Sequence, residues 1–261
     1  MLAEGSGADR PWGFISAMIM LRPLVIGDHG GEPCAHCDVR HQSVCSAIED
    51  SDLARLAAVA VSRDIERGRV FIEEGEPATD FFNITTGSVK LFKLLPDGRQ
   101  QVTGFAGVGH FLGLAVSSTY AFSAEAIEPV RVCRFSRAKL RAVLDDFPAL
   151  QRRLLETACN ELASAQEQML LLGRKTARER LASFLMARAR AAAPCVGTTH
   201  VHLPMTRSEI ADYLGLTIET VSRTFSRFRA EHRIATASHN DVEILDRGWL
   251  EELAAGMIEP V

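Results

Sequence analysis

No stretch of about 18 consecutive apolar residues occurs in this chain, so no transmembrane helix and no membrane partner are expected. Phe14–Leu21 is apolar but stops at Arg22 and Pro23. Glu4, Asp9 and a single arginine precede it, a poor n-region for a signal peptide. A cytoplasmic protein is therefore expected. A large excess of one charge is also lacking: 29 Lys and Arg stand against 33 Asp and Glu, a net −4. That total argues against a generic polyanion binder, but binding depends on where charge sits. Residues 174–233 hold eleven basic and five acidic side chains, a surplus of six. Residues 1–173 carry 17 against 22, and residues 234–261 carry one against six. One basic segment is thus flanked by acidic ones. With 261 residues, 47% hydrophobic and 24% charged, the chain can fill one large core or two ordinary ones, which excludes a disordered tail protein. Met1–Ala17 shows no structural pattern, so residues 1–33 read as an N-terminal extension and translation is expected to start at Met18 or Met20.

Leu53–Ala58 reads as a short helix. From Ile65 to Phe135, apolar and polar residues alternate between glycines. Val70–Ile72, Phe81–Thr85, Ser88–Leu94, Gln101–Phe105 and Val130–Phe135 have the texture of short strands. Pro96-Asp97-Gly98 is a turn, because Pro presets φ and Gly accepts φ > 0. Short strands at even spacing imply a small antiparallel barrel or roll. Near Asp145 the texture changes. Leu155, Ala158, Leu162, Ala165, Met169 and Leu172 fall at spacings 3, 4, 3, 4, 3, an a/d seam. With Glu156, Glu161 and Glu167 off the seam, a parallel homodimer contact is favoured over burial against the chain's own roll. Ala158 and Ala165 would let two helices approach closely. A second helix follows over Thr176–Ala192.

Thr206-Arg-Ser-Glu209 is a capping box opening a helix whose buried side is Ile210, Ala211 and Leu214. Gly215 permits the turn, and Thr217 caps a second helix with Ile218, Val221, Phe225 and Phe228 on one face. The opposite face carries Glu219, Ser222, Arg223 and Ser226. This reads as a helix–turn–helix with a polar recognition face, the alternative being a solvated surface helix. Arg223, Arg227, Arg229 and Arg233 favour the major-groove reading. Thr217, Glu219, Thr220, Ser222, Arg223 and Arg227 are the candidate DNA-binding set. Ile234–Thr236 and Val242–Leu245 around a His239-Asn240-Asp241 turn form a β-hairpin wing, and Asp246–Ala255 a closing helix. The expected class is α+β: a cluster-binding loop and β-roll sensor over 34–145, a dimerisation helix over 146–173, and a winged helix–turn–helix over 174–261.

The string from Met205 through Glu209-Ile-Ala-Asp-Tyr-Leu-Gly215 to Glu219-Thr-Val-Ser-Arg223 resembles the recognition motif of the CRP/FNR family of bacterial transcription regulators. The order of roll, long helix and winged helix–turn–helix matches too, over roughly residues 34–250. Glu219, Ser222 and Arg223 resemble the FNR branch, which implies an inverted repeat with half-sites like TTGAT. Physically, Arg223 can donate two hydrogen bonds to guanine, Glu219 can accept from cytosine N4, and Ser222 can serve a thymine contact. Ile218 stands where the cyclic-AMP branch has Arg. The resemblance also implies a homodimer that contacts RNA polymerase, with Leu94–Arg99 as a candidate surface.

Three of the six cysteines cluster as Cys34-x2-Cys37-x7-Cys45. Inside a cell, such clustering points to metal more than to disulfides, and soft thiolates suit zinc or iron–sulfur clusters. A thioredoxin-like βαβ context is missing, which argues against a dithiol enzyme. A four-thiolate site needs one more ligand. Cys133, in the last roll strand, resembles the distant fourth cysteine of FNR-type sensors. Its alternative is a small buried hydrophobe. The resemblance implies one [4Fe-4S] cluster per subunit, degraded by oxygen, with the cluster-bound form dimerising on DNA. His36 and His41 could instead complete a zinc site. Cys159 and Cys195 are expected to be inert.

Cyclic-nucleotide relatives need an acid for the ribose and an Arg for the phosphate in this roll. Leu114 and Phe122 stand at those places, and a buried phosphate without a cation is costly, so no cyclic nucleotide is expected. Some FNR proteins carry an acid in the dimer helix where Ala165 stands here, so this dimer is expected to depend less on the cluster.

Overall fold

The computed structural model describes residues 34, 37–114, 118–192, 199–238 and 240–258. The N-terminal extension, the candidate starts Met18 and Met20, His36, Cys195 and His239 lie outside these residues.

After helix α1 (Leu53–Ala57) the chain forms eight strands: β1 (Ala60–Ile65), β2 (Val70–Ile72), β3 (Asp80–Thr86), β4 (Val89–Leu94), β5 (Gln100–Ala106), β6 (Phe111–Leu112), β7 (Ser123–Ala126) and β8 (Val130–Ser136). They make two four-stranded antiparallel sheets, ordered β1-β8-β3-β6 and β2-β7-β4-β5. This is the expected roll, and its core holds Ile84, Val89, Ala124, Ala126 and Val132, all buried between the sheets. Two of its strands carry little local signal. β1 is Ala-Val-Ser-Arg-Asp-Ile with an exposed middle, and pairs only along its edge with β8. β7 is Ser-Ala-Glu-Ala, a weak strand former, yet sits between β2 and β4 because its small side chains fit a site without spare volume. Gly87 needs its glycine: at φ +81°, a Cβ would lie 2.4 Å from the Pro129 carbonyl oxygen.

Two helices follow, α2 (Arg137–Leu144) and the long α3 (Pro148–Arg174), which opens with proline at its first turn. α2 was not apparent from the sequence, where only the change near Asp145 stood out. Leu150 and Leu171 of α3 are buried, while Leu155, Leu162, Met169 and Leu170 are 58–66% exposed. No helix among the described residues is long and apolar enough to cross a membrane.

The remaining elements are α4 (Ala177–Ala192), β9 (His200–His202), α5 (Arg207–Leu214), α6 (Ile218–Ala230), β10 (Ile234–Thr236), β11 (Asp241–Ile244) and α7 (Arg247–Ala254). The three strands form a small sheet ordered β10-β11-β9, one strand more than the hairpin expected. Leu181, Phe184, Leu185, Ile210, Val221, Phe228 and Leu250 are buried in one core that also takes in Val102, Phe105 and Ile127 of the roll. The roll and the winged helix–turn–helix therefore share packing. Lys90 of β4 strengthens that contact: 7% exposed, it lies 3.1 Å from Glu125 of β7 and 3.1 Å from Glu209 of α5.

Candidate functional site: a thiol-lined pocket and a nucleic-acid interface

The spacer between Cys37 and Cys45 is wound into two 3-10 turns, Arg40–Gln42 and Val44–Ala47. Arg40 donates its backbone N–H to the Cys37 carbonyl at 3.1 Å, and Ser43 donates to the Arg40 carbonyl at 3.2 Å. The Ser43 hydroxyl, itself buried, accepts from the Cys45 N–H at 3.3 Å. These bonds coil seven residues tightly enough to bring Cys45 back toward Cys37. Cys133 reaches the same place from β8, where it lies opposite Ser62 of β1 and Asn83 of β3.

Cys34, Cys37, Cys45 and Cys133 line one cavity of about 50 Å³, with Arg40, Leu53, Asn83 and Phe135 among its walls. All four are thiols rather than disulfides and half-buried. Burial, with the neighbouring Cys34 and Cys37, pushes the Cys45 thiol up to about 11 despite the Ser43 hydrogen bond. Burial, with Cys37, Cys45 and Cys34 around it, pushes the Cys133 thiol up to about 12. These four side chains thus act on one another electrostatically. Asn83 Oδ1 is buried with no hydrogen-bond partner.

Among the described residues, no three His, Cys, Asp or Glu side chains are arranged to hold a single metal ion. One zinc ion would draw its sulfurs to about 2.3 Å from a point. A four-iron cluster takes four thiolates, one on each iron. Four soft donors around one partly apolar cavity fit an iron–sulfur group by their chemistry. His41 is exposed at the surface, and Cys159 lies exposed on α3 away from the cavity.

The pocket adjoins α3. Val44, between Ser43 and Cys45, is buried in a cluster with Phe111, Phe135, Leu140 and Leu150, against which Cys34, Cys45, Cys133 and Leu154 pack. On α3, Leu155, Ala158, Leu162, Ala165 and Met169 are exposed along one stripe. Leu172 departs from that stripe: it is half-buried against the core of the winged helix–turn–helix. A Cβ on Gly215 would come within 3.1 Å of Leu172 Cδ2, at a φ of +61° that already favours glycine.

At the other end of the molecule, both halves of the capping box are made. The Glu209 N–H donates to Thr206 Oγ1 at 3.2 Å, and the Thr206 N–H donates to Glu209 Oε2 at 2.7 Å. Thr217 accepts from the Thr220 N–H at 3.2 Å, capping α6. Val221, Phe225 and Phe228 are buried as expected, but Ile218 is 44% exposed. It stands at the first turn of α6, so the buried apolar face begins at Val221.

Thr217, Glu219, Ser222, Arg223, Ser226 and Arg227 are exposed, and Thr220 is half-buried. The Glu219 backbone N–H, the Thr217 hydroxyl and nearby Arg223 hold the Glu219 carboxyl below its ordinary range. Glu219 therefore stays ionised as an acceptor at neutral pH. Arg227 donates to Glu231 at 2.9 Å, and Arg229 to the Ser226 hydroxyl at 3.0 Å. Arg233 is half-buried, paired with Asp246 and stacked 4.7 Å above Trp249, so it anchors the wing instead of extending to DNA. Arg180, which drew no notice in the sequence, donates to the carbonyls of Leu172, Lys175 and Leu214 at 2.8–2.9 Å. It satisfies helix-end acceptors of both α3 and α5 and ties the long helix to the reader.

A family model described as the Crp-like helix-turn-helix domain matches residues 179–253, and one described as the cyclic nucleotide-binding domain matches residues 62–147. The nitrogen fixation regulation protein FixK of Bradyrhizobium diazoefficiens is 40% identical over 89% of this chain and 98% of its own. The transcriptional activator protein FnrL of Cereibacter sphaeroides is 36% identical over 85% and 91%. The solved structure of FixK2 from Bradyrhizobium japonicum superposes with a TM-score of 0.70 at 34% identity, covering 75% of this chain and 97% of that one. Motif, fold order and likeness across nearly the whole length agree: the chain belongs to the CRP/FNR family of DNA-binding transcription regulators, and is not an enzyme.

Proposed function

We propose that this protein is a cytoplasmic, oxygen-responsive transcription activator that binds DNA as a homodimer under the control of one [4Fe-4S] cluster per subunit. The observation that carries the reading is the thiol pocket: four cysteines, three from one coiled loop and one from a distant strand, line a single cavity. When bound, such a cluster supplies a metal–sulfide centre that oxygen can dismantle. Cys34, Cys37, Cys45 and Cys133 would hold it. Val44 and Leu150 share one buried cluster, so a shift of the cysteine loop bears directly on the first turns of α3. The apolar stripe of Leu155, Ala158, Leu162, Ala165 and Met169 supports pairing with the same helix of a second copy. Residues 34–145, 146–173 and 174–261 would then divide sensing, dimerisation and DNA reading. The two recognition helices of a dimer would enter successive major grooves ~34 Å apart.

The operator would be an inverted repeat with TTGAT-like halves, read by Glu219, Ser222 and Arg223, with Thr217, Thr220 and Arg227 on the backbone. Leu94 and Leu95, exposed at the β4–β5 turn, support a contact with RNA polymerase there. A cyclic nucleotide is not the proposed signal, since Leu114 and Phe122 are partly buried against apolar clusters and offer no charge to a ribose or phosphate.

The test is anaerobic purification of the full chain with a visible spectrum and iron, sulfide and zinc analysis. Brown protein holding iron and sulfide and bleaching in air is expected. Colourless protein with stoichiometric zinc overturns the reading. For the reader, Arg223→Ala should cost about 1–3 kcal/mol in binding and relax selection at one base pair. An equal loss on random DNA would reduce Arg223 to a phosphate contact.

A further inference from the structure

The cysteine pocket contains one feature that ligation does not use. Among the described residues lining it, Arg40 carries the single positive charge. Its side chain is 17% exposed. One guanidinium nitrogen donates to Asp50 and another to the Ile48 carbonyl, which holds the group in place at the cavity wall. Its Nε is buried with no hydrogen-bond partner. A buried donor left unmade is expensive, and so is a buried guanidinium whose exposed carboxylate partner, Asp50, is 87% accessible to water. Both costs are offset if an anion occupies the cavity.

We propose that Arg40 is the charge-compensating residue of the thiol site, setting how readily a cluster held there loses an electron to dioxygen. The inference rests on the cluster reading above. Four thiolates around a four-iron core leave roughly two negative charges in a cavity otherwise walled by Leu53, Phe135 and neutral polar groups. A fixed cation a few ångströms away stabilises the more negative state. It therefore raises the reduction potential and slows oxidation. Net charge and donors directed at the sulfurs are the levers by which a protein tunes such groups. The chain also couples this lever to the loop: the Arg40 backbone closes the turn between Cys37 and Ser43.

The experiment compares anaerobically prepared full-length protein with Arg40→Gln, Arg40→Lys and Asp50→Asn, reading iron and sulfide per chain, reduction potential, and the rate of absorbance loss in air. Arg40→Gln should lower the potential and bleach at least about tenfold faster, since a unit charge about 4 Å away at an effective dielectric of about 20 is worth up to about a thousandfold, which the Asp50 counter-charge partly cancels. Arg40→Lys should stay close to the parent. Asp50→Asn keeps the cation but removes its counter-charge, so it should shift both readouts in the opposite direction. That variant still decides the matter if Arg40→Gln does not fold. Unchanged potential and decay in Arg40→Gln, or Asp50→Asn moving the same way as Arg40→Gln, overturns the proposal while the cluster stands. Parent protein without iron and sulfide overturns the cluster reading itself, and the role of Arg40 with it.

Discussion

Cys133→Ala is expected to reduce the iron and sulfide retained by anaerobically purified protein to background, while Cys159→Ala leaves them unchanged. The asymmetry follows from position. Cys133 sits in the middle of β8, hydrogen-bonded on both sides by β1 and β3, so the strand cannot shift to offer a neighbour in its place. The side chains opposite it, Ser62 and Asn83, present oxygen and nitrogen, poor substitutes for a thiolate at iron. Three cysteines from a short loop would then hold the group alone. The fold itself should survive, because a half-buried sulfur is a small loss for a paired strand. Circular dichroism should match the parent. Cys159 lies exposed on α3, and its replacement touches neither the pocket nor a core. Unchanged iron in Cys133→Ala would reassign the fourth ligand.

Lys90→Met should destabilise the protein by about 3 kcal/mol, the low end of what removing one partner from a buried ion pair costs. Lys90 is almost fully buried between two carboxylates, Glu125 on the roll and Glu209 on the reader, which are 25% and 17% exposed. Without the ammonium group, both acids remain close together in a poorly hydrated seam. A third, Asp212, is already raised by burial and by Glu209 and lowered by Lys90. Glu209 also closes the capping box, so the loss should reach the first helix of the reader. Glu209→Gln preserves the box, because glutamine serves at that position equally well. The Lys90→Met, Glu209→Gln double variant should therefore recover part of the loss in chemical denaturation. The control is Lys139→Met on the exposed side of α2, expected to change stability by under about 0.5 kcal/mol. A similar loss at both lysines would show that the Lys90 pair contributes nothing specific. The same variant should weaken the hold of the roll on the reader, where Gln101 also donates to the Asp212 carbonyl at 2.6 Å.

Much of this architecture was written locally. The turn at Pro96-Asp97-Gly98, the alternation of β3 to β5, the capping box of Thr206 and Glu209, and Gly215 all depend on residues within a few positions of one another. Such features survive in sequence because φ preferences and i, i+3 bonds need no distant partner. The α+β class and the helix–turn–helix followed from them. The polar face of Glu219, Ser222 and Arg223 was legible for the same reason, being set by helical periodicity alone.

Other features needed the folded chain. β7 lacks strand-forming residues and β1 has only Val61 and Ile65 at either side of an exposed polar middle, so both exist because β8, β2 and β4 offer them hydrogen bonds and fitted space. Ile218 and Val221 share a helical face in sequence, yet Val221 is fully buried and Ile218 is not. Leu172 follows the seam spacing, but the seam's last turn is occupied by the reader domain. Arg233 belongs to a basic segment by composition and to Asp246 and Trp249 by packing. The cysteine triplet was plain from its spacing, whereas the side chains around it, Arg40 and Asn83 above all, were not. Their part depends on which loop folds against which strand. Sequence by itself determined the element types, the caps and the chemistry available, since these are short-range properties. Tertiary structure alone decided which thiols, charges and apolar faces meet, because burial and ion pairing join residues far apart in the chain.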